Sequence, residues 1–317
     1  FLKDVSFLNN LKLRAGYGVS GNLGAIDSYN SLQLMKPNGV VSVNGAPTVT
    51  MGVIRNANPD LKWEVKRTVN VGLDAGFFQN RLILAADYYR AKTSDMLYLY
   101  DVGVPPFAYN KLLANLGSME NSGVELGLGI TPLQKKDMEL NINVNVAFQK
   151  NKLLSLSGMY NGQYMSAPQY TPIASLNGAG FHGGNNHIVY QIVGESLGVF
   201  YLPHCTGLVE QADGSYRYEV ADLNGNGVNL EDGEDRYVAG QATPKATLGS
   251  NFSFRYRNFD ISLQMNGAFG HKIYNGTALS YMNMGSFPDY NVMKGAPEQR
   301  IKDQTATDYW LENGDYV

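Results

Sequence analysis

Taken on alternate positions, the stretch Lys245–Gly270 separates into two faces. Ala246, Leu248, Ser250, Phe252, Phe254 and Tyr256 share one side, and Thr247, Gly249, Asn251, Ser253 and Arg255 the other. The alternation restarts after Arg257-Asn258, where Phe259, Ile261, Leu263, Met265, Gly267 and Phe269 oppose Asp260, Ser262, Gln264, Asn266 and Ala268. A period of two is the signature of a β-strand with one apolar face. The pattern therefore predicts two long strands joined by a very tight turn. Six more segments alternate in the same way: Asn10–Ser20, Arg67–Phe78, Arg81–Lys92, Glu120–Thr131, Met138–Lys150 and a stub after Asp308.

The predicted connections alternate in length. Short ones fall at Gln79-Asn80, around Gln134–Asp137 and at Arg257-Asn258, and long ones over about residues 21–66, 93–119, 151–244 and 271–308. Short turns on one side and long loops on the other are the mark of an outer-membrane β-barrel. The polar faces agree with this. Asn141, Asn143 and Asn145 in a row could not fill a dry core without unsatisfied amides, but they suit a water-filled lumen. The opposite faces are apolar over about ten residues, enough for a tilted strand to cross a bilayer. Leu140, Ile142, Val144, Val146, Phe252, Phe254, Ile261, Leu263 and Met265 are expected to face lipid, and Asn141, Asn143, Asn145, Asn251, Gln264 and Asn266 the lumen. Tyr88, Phe148, Phe77 and Tyr256 fall near strand ends, where an aromatic girdle lies. The alternative is a large soluble antiparallel sheet with one wet face.

Composition narrows the choice. Thirty-five Gly, 21 Tyr and 13 Phe in 317 residues suit a barrel, whose alternation also keeps average hydropathy low. A net charge of −3 gives no electrostatic case for nucleic acid. No window approaches the roughly 18 apolar residues of a membrane helix. The single cysteine, Cys205, can form no internal disulfide and has no recognisable His–Asp setting. The chain opens with "FLKDVSFLNN", lacking an initiator Met and a basic leader, and stops in "WLENGDYV". It is read as an internal piece of a longer polypeptide. A short helical turn is conceivable in Pro297–Trp310.

Several stretches together resemble the SusC/RagA family of TonB-linked outer-membrane proteins. They are "NPDLKWE" (Asn58–Glu64), "VNVGLDAGFFQNRLILAADYYRAKTSDML" (Val69–Leu97), "LGSMENSGVELGLG" (Leu116–Gly129), "VGESLGVFY" (Val193–Tyr201), "DLNGNG" (Asp222–Gly227), "TPKATLGSNFSFRYRNFDIS" (Thr243–Ser262) and "WLENGDYV" (Trp310–Val317). The resemblance implies that residues 1–317 are the C-terminal part of one transmembrane β-barrel domain of about 22 strands, with the plug domain and TonB box outside this chain. It implies an outer-membrane importer of oligosaccharides or peptides in a Gram-negative bacterium. It also implies energy from the TonB complex and a SusD-like lipoprotein as lid. The rivals are a siderophore or cobalamin receptor driven by TonB, and a β-rich surface module that transports nothing.

Candidate sites lie in the loops. "DLNGNGVNLEDGEDR" opens like an EF-hand calcium loop, with Asp222, Asn224 and Asn226 at positions 1, 3 and 5, Gly227 at the tight turn and the Val228 carbonyl at 7. Position 12 is Gly233, with acids at Glu231, Asp232, Glu234 and Asp235 around it, so Asp232 is the candidate acid of a loop two or three residues out of register. For an ion there Ca²⁺ is favoured, because every candidate ligand is oxygen. The alternative is a solvated Asx/Gly turn. "FHGGNNH" places His182 and His187 in a polar loop. No Ser/His/Asp, Cys/His or paired-carboxylate motif supports an enzyme. Sugar or partner contacts would use aromatic rings flanked by amides. The candidates are Tyr160, Tyr164, Tyr170, Phe181, Tyr281, Phe287 and Tyr290. The long connection Asn151–Pro244 exceeds what stays structureless, so "NNHIVYQIVGESLGVFYLP" is expected to form short strands within it.

Overall fold

The structure, a computed structural model, describes residues 7–24, 26–175, 187–210, 212, 216–229, 233–275, 277, 281, 291, 293 and 294. Sixteen strands run through them. Seven form one continuous antiparallel path. These are β1 (Leu8–Asn22), β4 (Glu64–Phe77), β5 (Leu82–Asp101), β6 (Lys111–Lys135), β7 (Met138–Tyr160), β15 (Ala246–Tyr256) and β16 (Phe259–Phe269), and they neighbour one another in that order. A short strand, β8 (Gln163–Ser166), folds back on the end of β7. The seven strands described among the eight segments expected are all present. The stub after Asp308 and the helical turn in Pro297–Trp310 lie outside the described residues.

Register makes the expected faces continuous from strand to strand. Leu13 stands opposite Leu73, Leu73 opposite Ala86, Ala86 opposite Leu126, Leu126 opposite Val146 and Val146 opposite Leu248. One residue along, Arg14, Gly72, Asp87, Glu125, Ala147 and Thr247 form the matching row on the other face. The apolar rows are open to their surroundings. Leu13 is 78% exposed, Val71 50%, Phe148 50% and Ile261 60%. An apolar face this wide is not tolerated in water and is what a lipid-facing wall requires. No helix among the described residues is long and apolar enough to cross a membrane, so crossing rests on strands.

The rims of the apolar band carry the expected aromatics. Tyr88 and Phe148 both stand opposite Val124 in the row at the long-loop end. At the short-turn end Phe7, Phe77 and Phe78 pack together with ring centroids 6.3–6.4 Å apart, and Tyr256 closes β15. The turns there are as short as the sequence indicates. Lys136-Asp137 and Arg257-Asn258 are two-residue links, and residues 78–81 join β4 to β5.

Two long connections turn out otherwise. Residues 93–119 are not a loop. β5 and β6 continue paired to Asp101 and Lys111, leaving only residues 102–110 unpaired. A register shift between Thr93 and Met96, with Asp95 at φ 58°, breaks the phase of the alternation. Beyond such a bulge the apolar residues change faces, which hides the strands from a period-two reading. Within 21–66 the chain makes a second hairpin, β2 (Leu34–Val43) and β3 (Ala46–Arg55). Its turn is Asn44-Gly45 with both φ values positive, 51° and 81°, the geometry a two-residue hairpin turn demands.

The chain divides into two compact units, one of residues 1–168 and 246–267, the other of 169–245 and 268–317. The second unit contains the short strands expected of the long connection. β9 (Tyr170–Ser175), β10 (His187–Ile192), β11 (Val199–Pro203) and β14 (Arg236–Gln241) form one sheet in the order β14-β11-β10-β9, and β12 (Cys205–Glu210) pairs with β13 (Tyr216–Val220). The unbroken apolar run "VFYLP" is β11, buried at every residue. Ile188, Phe200, Leu202 and Ala239 form one buried cluster, and Tyr190, Ile192, Val199 and Tyr201 another. A strand covered on both faces reads as a continuous rather than alternating apolar run.

Candidate functional site

The polar face of the seven-stranded sheet is the first candidate surface. Its glycines make room for its polar groups. A Cβ at Gly127 or Gly129 would come within 3.3 Å of the Asn145 or Asn143 amide oxygen, so the asparagine ladder lies across a strand with little side chain of its own. Arg14 is the centre of a charge cluster on this face. Its Nε donates to Asp74 Oδ2 at 2.8 Å and its Nη2 donates to Asp87 Oδ2 at 2.9 Å. Gly72 lies opposite both Arg14 and Asp87. A Cβ there would run into Asp87 and come within 2.8 Å of Arg14 Cζ. The three charged groups meet because that position has no side chain. Lower on the same face Thr131 Oγ1 donates to Asn141 Oδ1, Asn141 Nδ2 donates to Glu139 Oε1, and Arg255 Nη2 donates to Glu139 Oε2 at 2.7 Å. A chain of paired charges and amides suits a wetted wall and would be expensive against lipid.

Nearer the long-loop end the face is recessed. A cavity of about 370 Å³ is lined by Lys66, Tyr89, Asn121, Glu125, Gln149 and Asn151, among others. Tyr89 reaches across Gly123, where a Cβ would lie 2.7 Å from its ring. One aromatic ring, amides and both signs of charge are the furniture of a polar-ligand subsite. None of these residues is among the candidates that the sequence offers. The available signal was Tyr89, on the opposite face from Tyr88, directly across from Gly123.

Another set of residues, in "NPDLKWE" and just before it, proves to be a clamp. Asn56 and Asn58 are buried. Asn56 Nδ2 donates to the carbonyls of Tyr109 and Lys111, while its Oδ1 accepts from the amides of Ala108 and Tyr109. Asn58 Nδ2 donates to the Leu113 carbonyl at 2.8 Å. Asn115 returns the contact. Its Oδ1 accepts from Lys62 N, and its Nδ2 donates to the carbonyls of Lys62 and Asp95. Lys62 also pairs with Asp95 at 2.8 Å, and Glu64 accepts from the Leu97 amide. Side-chain amides thus lace residues 56–64 to the extension of β5 and β6, including the loop between them.

The candidate loop residues fall in different settings. Tyr160 ends β7, and Tyr164 on β8 is 69% exposed. Tyr170 is packed within the second unit, stacked on Tyr201 at 5.1 Å between centroids. Tyr281 is partly buried, and its carbonyl accepts from the Met293 amide. Phe181, Phe287 and Tyr290 lie outside the described residues, as do His182, Glu231 and Asp232. His187 opens β10, and His204 packs edge-on against Tyr237 at 5.2 Å.

The 222–235 turn is closed by its own hydrogen bonds. Asp222 accepts from Gly225 N at 2.6 Å and from Gly227 N at 2.9 Å. Bonds from the amides of Gly227 above all, and of Gly225, Asn226 and Asn224, hold its carboxyl below the usual carboxylate range. Asn224 Oδ1 accepts from Asn226 N, and Asn224 Nδ2 donates to Glu234. Val228 is exposed. The acid that anchors the turn is Asp235, fully buried, with Oδ1 accepting from Leu223 N and Oδ2 from Asn229 N, each at 2.7 Å. Among the described residues no three His, Cys, Asp or Glu side chains gather in a way that could hold a metal.

An antiparallel sheet with one exposed apolar face, one charged and recessed face and short turns at one end is a length of transmembrane β-barrel wall. Comparison with known proteins gives the family. The description "TonB dependent receptor-like, beta-barrel" matches residues 4–266, and the chain belongs to that family. It is 29% identical over its whole length to "TonB-dependent receptor P3" of Formosa agariphila, covering 32% of that protein. It is 27% identical over 86% of its length to "TonB-dependent receptor SusC" of Bacteroides thetaiotaomicron, covering 26% of it. Among solved structures, the RagAB peptide transporter matches 97% of this chain with a TM-score of 0.68 at 24% identity, over 32% of the matched chain. That likeness is one of fold. The chain thus spans about a third or less of the relatives it matches, and the SusC/RagA resemblance of its motifs is borne out.

Proposed function

We propose that the whole protein is an outer-membrane, TonB-driven importer of the SusC type. Its cargo is an oligosaccharide or a peptide, and it works with a SusD-like lipoprotein that closes over the long-loop end. The single observation that carries the reading is the two-faced wall. Its apolar rows suit lipid, while its polar face offers paired charges, an amide ladder and a recess at Tyr89 for a hydrated, hydrogen-bonding solute. The relative named SusC, and the likeness in fold to a peptide transporter, support a nutrient importer over a receptor for a small chelate. This reading gives the protein binding and passage.

A tagged full-length protein, expressed in its own host and extracted in mild detergent, tests this reading. Growth on a polymeric glycan or on peptides as sole carbon source is expected to need both this protein and a working TonB, and a surface lipoprotein is expected to co-purify. Shortening Tyr160–Gly184 and Tyr281–Tyr290 should weaken that co-purification while the barrel still inserts. Undiminished growth on every polymer without TonB would defeat the importer reading. Loss of iron-chelate or cobalamin uptake alone, with no lipoprotein bound, would favour the small-chelate receptor.

A further inference from the structure

Two rows of side chains just above the apolar band are mostly charged or polar. On the same face, two residues beyond Tyr88, Val124 and Phe148, the register aligns Val69, Arg90, Ser122 and Lys150. Two residues further it aligns Arg67, Lys92, Glu120 and Lys152. These rows hold five cations, of which Lys150 also lines the recess at Tyr89, and one carboxylate. Glu120 accepts from Arg90 Nη2 at 2.8 Å, so that carboxylate is already engaged. Arg67, Arg90, Lys92 and Lys152 are all exposed. One step of two residues is about 7 Å along a strand, which puts the belt at the level of lipid headgroups if the rows below it face acyl chains. It sits on the long-loop side, above the aromatic rim of Tyr88 and Phe148.

We propose that this belt binds the phosphates of a membrane lipid that carries more than one phosphate on its headgroup. The charge balance calls for an anion, and guanidinium and ammonium groups at a headgroup boundary favour phosphate. Position calls for a lipid, because the belt continues the acyl-facing rows and stands on the face opposite the Asn143–Asn145 ladder. Breadth calls for more than one phosphate. From Arg67 on β4 to Lys152 on β7 is three strand spacings, about 14 Å, more than a single phosphate bridges. The inference is independent of cargo and partner. It rests on the membrane-spanning wall and on the register of four strands.

Binding to the intact protein in neutral detergent tests it. The probes are diphosphorylated lipid A, its monophosphorylated form and inorganic phosphate. The diphosphorylated lipid is expected to bind most tightly and to weaken as salt rises. Arg67→Gln, Arg90→Gln, Lys92→Gln and Lys152→Gln combined should weaken it by about tenfold or more. Removing two cations from the opposite face, Lys12→Gln with Lys66→Gln, should leave it unchanged. Folding of each variant is checked by its heat-dependent mobility on gels, and the milder pair Lys92→Gln with Lys152→Gln serves if the fourfold variant does not fold. A folded variant that binds the lipid as the native protein does would overturn the proposal. So would equal loss in the opposite-face control, or full displacement of the lipid by inorganic phosphate, which would indicate a simple anion site.

Discussion

Val144→Arg is expected to destabilise the folded barrel by about 2–4 kcal/mol, the cost of a guanidinium near the middle of a bilayer. Val144 lies in the apolar row with Leu128 on one side and Ser250 on the other, one row from Leu126, Val146 and Leu248. A long cation there could reach water only by snorkelling past two further apolar rows. Asn145→Arg, one residue away, is the control. Asn145 stands between Gly127 and Gly249 on the polar face, where there is space and water. Its change is expected to stay within about 0.5 kcal/mol. Urea titration of the full-length protein folded into vesicles, followed by gel mobility, measures both. Equal cost at the two positions would mean that the two faces do not differ in solvent.

Asn56→Ala is expected to be the most damaging change outside the membrane band. It removes four hydrogen bonds at one buried amide. The carbonyls of Tyr109 and Lys111 and the amides of Ala108 and Tyr109 lose their partner, and each such group left dry costs about 1–3 kcal/mol. The loop 102–110 and the paired ends of β5 and β6 should open together, seen as faster amide exchange and new protease cleavage there. Lys62→Ala breaks only the Lys62–Asp95 ion pair on a side chain 57% exposed. It is expected to cost under about 1 kcal/mol. If Asn56→Ala leaves exchange in 102–115 unchanged, the clamp is not what holds that segment.

The contrast between these two sites shows what a sequence can disclose. Strand faces were legible because a period of two is a local property, and antiparallel pairing merely carried it sideways from Leu13 to Leu248. Where the period breaks, at the bulge near Asp95, paired strand looks like loop in the sequence. The hairpin at Val43-Asn44-Gly45-Ala46 does carry a local sign, since Asn-Gly between apolar residues is a strong hairpin signal. The clamp was invisible for another reason. "NPDLKWE" marked the family, but the carbonyls that Asn56 and Asn58 hold lie some fifty residues on, and no local pattern points to them. The basic belt is likewise a product of register, since Arg67, Lys92 and Lys152 come from three separate strands. In the 222–235 turn the spacing suggested an acid near position 12. The described anchor is Asp235, because the turn needs a buried carboxylate for the amides of Leu223 and Asn229.

The central claim is that one face of this sheet meets lipid and the other meets water. Single spin labels on β15 and β16 of the full-length protein in vesicles test it most directly, on a background in which the native cysteines, Cys205 among them, are changed to serine. A lipid-soluble quencher is expected to reach labels at 252, 254, 261, 263 and 265, and a water-soluble quencher those at 251, 253, 264 and 266, in strict alternation. Equal access of both quenchers to both sets would contradict the account.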